Sequence, residues 1–151
     1  MLVYAKSSIK DYGPIERIAP YVCCIVYAIE YRDGKQNYAV YPLREKGYDY
    51  SSVEQPDPLF FAADNFKKIA DLTSGTWQTA QPYASEASVF SFAEWFTNDI
   101  AGKAHDWDLE SDDYTILTPI MREYNDLYWN YLDENKITLN RKGVDYLWPE
   151  E

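Results

Sequence analysis

Apolar and β-branched residues dominate two neighbouring stretches near the start of the chain. Residues 21–31 are almost continuously apolar or aromatic, which is typical of a buried strand. Asp33-Gly34 follows, and this dipeptide is the strongest short-range indication of a two-residue hairpin turn. Residues 36–43 then supply the returning strand. The pattern predicts a long antiparallel hairpin over residues 21–43, preceded by a short strand at residues 2–5.

Helical spacing of apolar residues follows further along the chain. Residues 60–72 carry apolar side chains at helical spacing and end shortly before Gly75, so they predict one helix. The Ser, Phe, Ala and Glu at residues 91–94 form a capping-box pattern, which predicts the start of a second helix. Gly102 is expected to end that helix, because glycine favours the residue just past a helix terminus.

A third helix is predicted from Thr118-Pro119, a capping hydroxyl followed by Pro at the first helical position, to Glu134. Shorter predicted elements are a helical turn at 15–19, irregular segments at 44–58 and 77–88, an acidic loop at 105–113, strands at 114–117 and 137–139, a turn at 140–143, and a strand or short helix at 144–148. Together they predict an α+β fold, in which a small antiparallel sheet built on the long N-terminal β-hairpin packs against about three helices. The length of 151 residues fits one compact domain spanning residues 1–151.

The chain is acidic, and its acidic residues are unevenly distributed. It contains 25 Asp and Glu against 14 Lys and Arg, a formal net charge of −11. Residues 1–75 contain ten acidic and nine basic side chains, whereas residues 76–151 contain fifteen acidic and five basic ones. The second half therefore carries a net charge of −10, and we expect the acidic surface to be concentrated in residues 86–134. Such asymmetry favours a functional role, with solubility as the plain alternative.

The charge also narrows the class of partner. Direct binding to nucleic acid or to an anionic membrane is disfavoured, because both depend on an excess of Lys and Arg. A basic protein surface is favoured instead, since an acidic surface speeds encounter with it. No apolar run approaches the roughly 20 residues of a membrane span. We expect a protein that is a monomer or homodimer and does not bind a membrane.

The two cysteines and the first six residues indicate in which cellular compartment the protein is expected. Cys23 and Cys24 are adjacent in a predicted strand, where side chains point to opposite faces, so a disulfide between them is disfavoured. We expect two buried free thiols, which suit a reducing compartment. Residues 1–6 lack the features of a signal peptide. These features predict a cytoplasmic protein of a bacterium or of a phage-infected cell.

Two acidic segments are candidates for contact with the partner. One is the predicted loop, and the other is a stripe of Glu123, Asp126, Asn130 and Asp133 along the third helix. The apolar stripe of that helix is predicted to comprise Ile120, Tyr124, Leu127, Tyr128 and Tyr131. An aromatic side chain among carboxylates suits a partner rich in Arg and Lys. The candidate partner-binding residues are Asp106, Asp108, Glu110, Asp112, Asp113, Glu123, Asp126, Trp129, Asp133 and Glu134.

The spacing of the helical stripe suggests what it could imitate. Neighbours at i+3 and i+4 lie about 5–6 Å apart on a helix, which is near the spacing of phosphates along one strand of a duplex. A rigid row of carboxylates could therefore stand in for phosphates. Like charges at this spacing destabilise a helix by a few tenths of a kcal/mol. Arg122 is the one basic residue inside the predicted helix that offsets this repulsion. An ordinary solvated helix face is the alternative.

Catalytic and metal-binding patterns are weak. His105 is the single histidine, and no Ser or Cys lies in a context typical of a nucleophile. The alternating acidic residues of the loop are similar to an EF-hand calcium loop, but Ser111 and Leu117 stand where Gly and a bidentate Glu are required. Weak binding of a divalent cation by the loop is kept as an alternative. We expect no metal site, no cofactor and no catalytic residue.

The favoured hypothesis is a non-enzymatic, acidic inhibitor that occupies the nucleic-acid-binding surface of a partner such as a nuclease. In composition the chain is similar to small acidic anti-defence proteins of phages, of the anti-CRISPR or anti-restriction type. One alternative is an immunity protein that neutralises a basic bacterial toxin, which would use the same physics. Another is a small carboxylate-dependent enzyme, since 25 carboxylates can always supply acid–base pairs.

Overall fold

The computed structural model describes residues 1–10, 14–49, 59–81, 87–105 and 108–149, except the side chains of Asn98 and His105. Over these residues the predicted α+β fold is confirmed: an antiparallel sheet packs against three α-helices. The strands are β1 (Leu2–Ala5), β2 (Ile9–Lys10), β3 (Glu16–Ile18), β4 (Cys23–Arg32), β5 (Lys35–Pro42), β6 (Phe61–Ala62), β7 (Phe66–Ala70), β8 (Gln78–Ala80), β9 (Ser88–Ser91), β10 (Asn140–Lys142) and β11 (Asp145–Leu147). The helices are α1 (Ala93–Phe96), α2 (Ile100–His105) and α3 (Ser111–Glu134).

Strand β4 is the centre of a seven-stranded sheet among the described residues. On one side it pairs with β5 along almost its whole length. On the other side its first residues pair with β1 and its last residues with β9. Strands β6, β7 and β8 extend the sheet beyond β5, β1 and β9. The hairpins β2–β3 and β10–β11 are separate two-stranded sheets.

The turn between β4 and β5 confirms the predicted hairpin. Asp33 and Gly34 both have positive φ, 53° and 74°, as the two central residues of a type I′ turn require. Arg32 pairs with Lys35 on either side of it. Asp tolerates this backbone region and Gly adopts it without steric cost, so the two residues fix the register of the hairpin.

Replacing Gly34 by alanine should lower the free energy of unfolding by about 1–2 kcal/mol, because a Cβ is strained in the left-handed region. No atom lies within 4 Å of the added Cβ, so backbone strain is the whole effect. Gly75→Ala is the matched control: its Cβ also meets open space, but its φ is not positive. Urea unfolding followed by tryptophan fluorescence measures both, and equal effects of the two variants would contradict this explanation.

Both faces of β4 are covered, which explains its continuous apolar run. Residues 23–30 of this strand are all buried. Toward the helices the sheet packs against α1, α2 and α3, and on the opposite face the apolar cluster includes Ile9 of β2, with Ile18 of β3 packed against it. A bulge between Val26 and Ala28 leaves Tyr27 opposite no residue of β5, so Tyr27 and Ala28 both join the helix-side core.

The helix predicted at residues 60–72 is wrong. This segment contains β6, one 3₁₀ turn at Ala63–Asn65, and β7. Phe66 and Ala70 are both buried, and their spacing of four residues fits a strand as well as a helix. Pairing with β1 decides between the two, since Ala5 lies opposite Phe66 and Leu2 opposite Ala70. The helical turn predicted at residues 15–19 is also wrong, because β3 occupies it and pairs with β2.

The predicted second helix is present but begins and ends elsewhere. Ser91 is the last residue of β9, and its hydroxyl donates a 2.5 Å hydrogen bond to the carbonyl of Tyr27 rather than capping a helix. Helix α1 begins at Ala93, a 3₁₀ turn follows at Thr97–Asp99, and α2 continues through Gly102 to His105. Gly102 therefore lies inside α2 instead of ending it.

The predicted third helix has the right end and the wrong start. It begins at Ser111, so the strand predicted at 114–117 is helical and Pro119 lies inside the helix. The acidic residues of the first turn stabilise this earlier start through the helix dipole. Near the C-terminus, the strand predicted at 137–139 is wrong, because these residues belong to no strand. Strand β10 instead occupies Asn140–Lys142, most of the segment predicted as a turn, and of the two alternatives predicted at 144–148 the strand is found, at 145–147. Residues 77–88 contain β8, and part of the segment 44–58 lies outside the described residues.

Candidate interaction surface on helix α3

Helix α3 buries one face against the sheet and leaves the opposite face in solvent. The buried positions recur at intervals of three and four residues, and they are Asp113, Leu117, Met121, Asn125, Tyr128 and Leu132. The predicted apolar stripe is therefore rotated: of its members Tyr128 alone is buried, while Ile120, Tyr124, Leu127 and Tyr131 are half-buried. The rotation matters because it defines which carboxylates point outward.

Asp112, Glu123 and Glu134 lie on the outermost line of the helix. They are spaced by 11 residues, about three turns at 3.6 residues per turn, so each differs from the next by about 20° around the axis and the two ends by about 40°. All three are exposed. Asp112 joins this line because α3 begins at Ser111. From Asp112 to Glu134 the rise along the axis of a regular helix is about 33 Å.

Glu123 and Asp126 lie in the middle of this outer face. Together with Asn130 they line a shallow, open groove whose other walls are Pro119, Arg122 and Leu127. Both carboxylates are exposed, and among the described residues no basic group lies within 4.0 Å of them. Their charge is therefore not neutralised by an ion pair within the described part of the molecule.

Asp133 and Glu134 occupy the last turn of α3. Both are exposed, and Lys46 Nζ lies 2.6 Å from Asp133 Oδ2. A solvent-exposed ion pair of this kind contributes at most about 1 kcal/mol, so Lys46 holds Asp133 only weakly. Two carboxylates at a helix C-terminus also oppose the helix dipole, and no basic residue occupies that last turn.

Asp113 belongs to the fold rather than to the surface. It is 3 % exposed, and its carboxylate accepts hydrogen bonds from the backbone N–H of Glu110 at 2.9 Å and from Lys103 Nζ at 3.2 Å. The hydrogen bond to Asp113 raises the pKa of the Lys103 ammonium. The placement of Asp113 among the surface carboxylates is therefore corrected. Asp108 and Glu110 are exposed, and Asp106 lies outside the described residues.

Trp129 anchors the segment that follows β5. Its indole Nε1 donates a 2.7 Å hydrogen bond to the carbonyl of Arg44, and its ring meets the ring of Tyr146 at 4.8 Å in an edge-on arrangement. Lys46 Nζ lies 5.7 Å from the ring centroid. Trp129 is half-buried, so these internal contacts account for much of its surface, although partner contact through the rest stays a prediction.

Asn125 was not singled out from the sequence, yet it organises this side of the molecule. It is 1 % exposed, and its Oδ1 accepts a hydrogen bond from the backbone N–H of Arg44 at 3.0 Å. Its Nδ2 donates to the carbonyls of Arg44 and Glu45 at 3.1 and 3.3 Å. The signal in the sequence is its spacing, because Asn125 lies four residues after Met121 on the buried face.

Other kinds of site find little support in the described part of the chain. There, no three His, Cys, Asp or Glu side chains are arranged to hold a metal ion. No described helix combines the length and apolar character that crossing a membrane requires. Comparison with protein-family models, with curated proteins and with solved structures finds no match for the chain.

Proposed function

We propose that this protein is a non-enzymatic binding protein whose α3 outer face occupies a basic, nucleic-acid-binding surface of a partner protein. The observation that carries the proposal is the set of exposed carboxylates on the outer face of a helix of 24 residues, with Glu123 and Asp126 in the middle of that face and no described cation paired with either. A basic groove would supply the missing positive charge.

The dimensions of the line favour imitation of a nucleic acid. Its rise of about 33 Å is close to the 34–36 Å of one turn of duplex DNA. Glu123 and Asp126 are neighbours at i+3, about 5–6 Å apart, which is near the spacing of successive phosphates. The face is carried by a helix whose opposite side is packed into the core, so its carboxylates need little ordering when they bind.

The openness of the groove favours binding over catalysis. Acid–base chemistry usually takes place in an enclosed pocket where burial shifts the pKa of a carboxyl group. Glu123 and Asp126 are instead exposed on a shallow surface. Two biological settings suit such a protein: a phage anti-defence protein that blocks a nuclease of the host, and an immunity protein that neutralises a basic toxin.

Reversing two charges on α3 should abolish most of this binding. The double variant Glu123→Lys, Asp126→Lys should bind its partner at least about tenfold more weakly at low salt, because close charge pairs across an interface carry substantial coupling energy. The matched control is Glu16→Lys, Asp64→Lys, which changes the net charge equally in the near-neutral half of the chain. Partners are captured from bacterial lysate at 50 and 300 mM salt, and the affinity of the captured protein is then measured.

Two results would overturn the proposal. One is capture of the same protein with unchanged affinity by the α3 variant. The other is a captured partner whose affinity for duplex DNA or RNA is the same with and without this protein. The expected result is competition with nucleic acid that weakens as salt rises.

A further inference from the structure

A cleft lies on the face of the sheet away from α3. Its volume is about 210 Å³, below the 300–1,000 Å³ that is usual for sites of drug-sized ligands. In liquid water this volume would hold about seven molecules, which suits one small metabolite rather than a nucleotide. Strands β4, β5 and β6 form its floor, and residues of β3 and β11 stand at its sides.

The floor of the cleft is apolar. Val22, Cys24, Val40 and Phe61 line it, and each is buried in the cluster on this face of the sheet. Burial raises the pKa of the Cys24 thiol, so it stays neutral near pH 7, and its Sγ lies 3.9 Å from the carbonyl oxygen of Val22. A floor of this kind favours the hydrocarbon part of a ligand and disfavours a bare ion.

The sides of the cleft carry opposite charges. Asp145 is half-buried, and among the described residues no hydrogen bond or ion pair engages its carboxylate. Asp145 and Cys24 both line the cleft, so the carboxylate borders the same cavity as the apolar floor. Arg17 lines the cleft as well. A guanidinium has five N–H donors, so it can accept a ligand in addition to its contacts within the protein.

We infer that this cleft binds a small zwitterion with an apolar side chain, such as a free aliphatic α-amino acid. The ammonium group of the ligand contacts Asp145, its carboxylate contacts Arg17, and its side chain packs on Val22, Val40 and Phe61. The site is separate from the α3 face and does not depend on the function proposed for that face.

The test is calorimetric titration of the full chain with L-leucine and with two analogues that each lack one charge. Isopentylamine lacks the carboxylate, and 4-methylpentanoate lacks the amine. Leucine should bind saturably, and each analogue should bind at least tenfold more weakly. Nuclear magnetic resonance shifts of residues around the cleft locate the bound ligand.

Two variants test which residue contacts each charged group of the ligand. Asp145→Asn should remove the preference for leucine over 4-methylpentanoate, and Arg17→Gln should remove the preference over isopentylamine. Near-UV circular dichroism checks that both variants are folded. The Glu123→Lys, Asp126→Lys protein should bind leucine like the parent, which separates this site from the α3 surface.

The inference is overturned by absence of saturable binding up to 50 mM leucine. It is also overturned if the analogues bind as well as leucine, or if the preferences survive in both variants. Binding that shifts residues of α3 instead of residues around the cleft would contradict it as well.

Discussion

Replacing Asn125 by alanine should lower the free energy of unfolding by about 3 kcal/mol. The variant would leave the backbone N–H of Arg44 and the carbonyl of Glu45 without the hydrogen bonds that Asn125 gives them. Each of the three hydrogen bonds that are lost contributes about 1 kcal/mol, and the cavity left by the buried Asn125 side chain adds to this. Urea unfolding followed by circular dichroism measures the change.

Asn130→Ala is the matched control. It changes the same residue type in the same helix, but Asn130 is exposed, so its effect should stay within about 0.5 kcal/mol. Asn125→Leu separates the two contributions, because it refills much of the volume without restoring a hydrogen bond. If Asn125→Ala unfolded at nearly the same urea concentration as Asn130→Ala, the role assigned to Asn125 would be wrong.

The two cysteines should be almost unreactive in the folded protein. Cys23 and Cys24 are 0 % and 1 % exposed, and burial raises the pKa of the Cys23 thiol to about 12 and that of Cys24 further. Since the thiolate is the reactive form, labelling by a disulfide reagent at pH 8 should be at least about 10³-fold slower than in 6 M guanidinium. Asn130→Cys supplies an exposed thiol in the same chain as an internal control.

The same thiols predict how stability depends on pH. Below about pH 9 they are protonated in both the folded and the unfolded chain, so they add no pH dependence. Between about pH 9 and 12 the unfolded thiols ionise while the folded ones do not, so stability falls by up to about 1.4 kcal/mol per pH unit for each thiol. Urea midpoints at pH 7, 9 and 10 measure this. A Cys23→Ala variant with an unchanged slope would contradict it.

The sequence predicted those parts of the fold whose signals are local. The β4–β5 hairpin follows from Asp33-Gly34, because this dipeptide readily adopts the two positive φ angles of a type I′ hairpin turn. The helix predicted at residues 60–72 is wrong because the spacing of Phe66 and Ala70 suits both a helix and a strand. The strand is decided by pairing with β1, which is far away in the sequence, so local spacing could not reveal it. Thr118-Pro119 predicted a helix start because Pro favours the first helical position, but the capping box of Glu110 and Asp113 begins the helix at Ser111 and leaves Pro119 inside it.

The candidate surface was predictable in outline and not in detail. Glu123, Asp126 and Asp133 are exposed as the helical spacing predicted. The inward position of Asp113 depends on Lys103, which comes from another helix, and the anchoring role of Trp129 depends on Arg44 after β5. Such partners are distant in the chain, so no periodicity within α3 could reveal them.

One side of β4 pairs with β1 at its start and with β9 at its end, so the end of this side has no partner strand until β9 is synthesised. Ala28 and Tyr31 pair with Ser91 and Ser88, which are synthesised about 3–12 s later at 5–20 residues per second. During that time this edge of the hairpin is open, and open apolar edges recruit other chains. Glu30 lies within the edge, bonded to Arg32 and Asn37 of the same hairpin at 3.3 and 3.2 Å. A buried charge at a strand edge discourages pairing with foreign strands, so we expect Glu30 to limit such pairing until β9 has been synthesised.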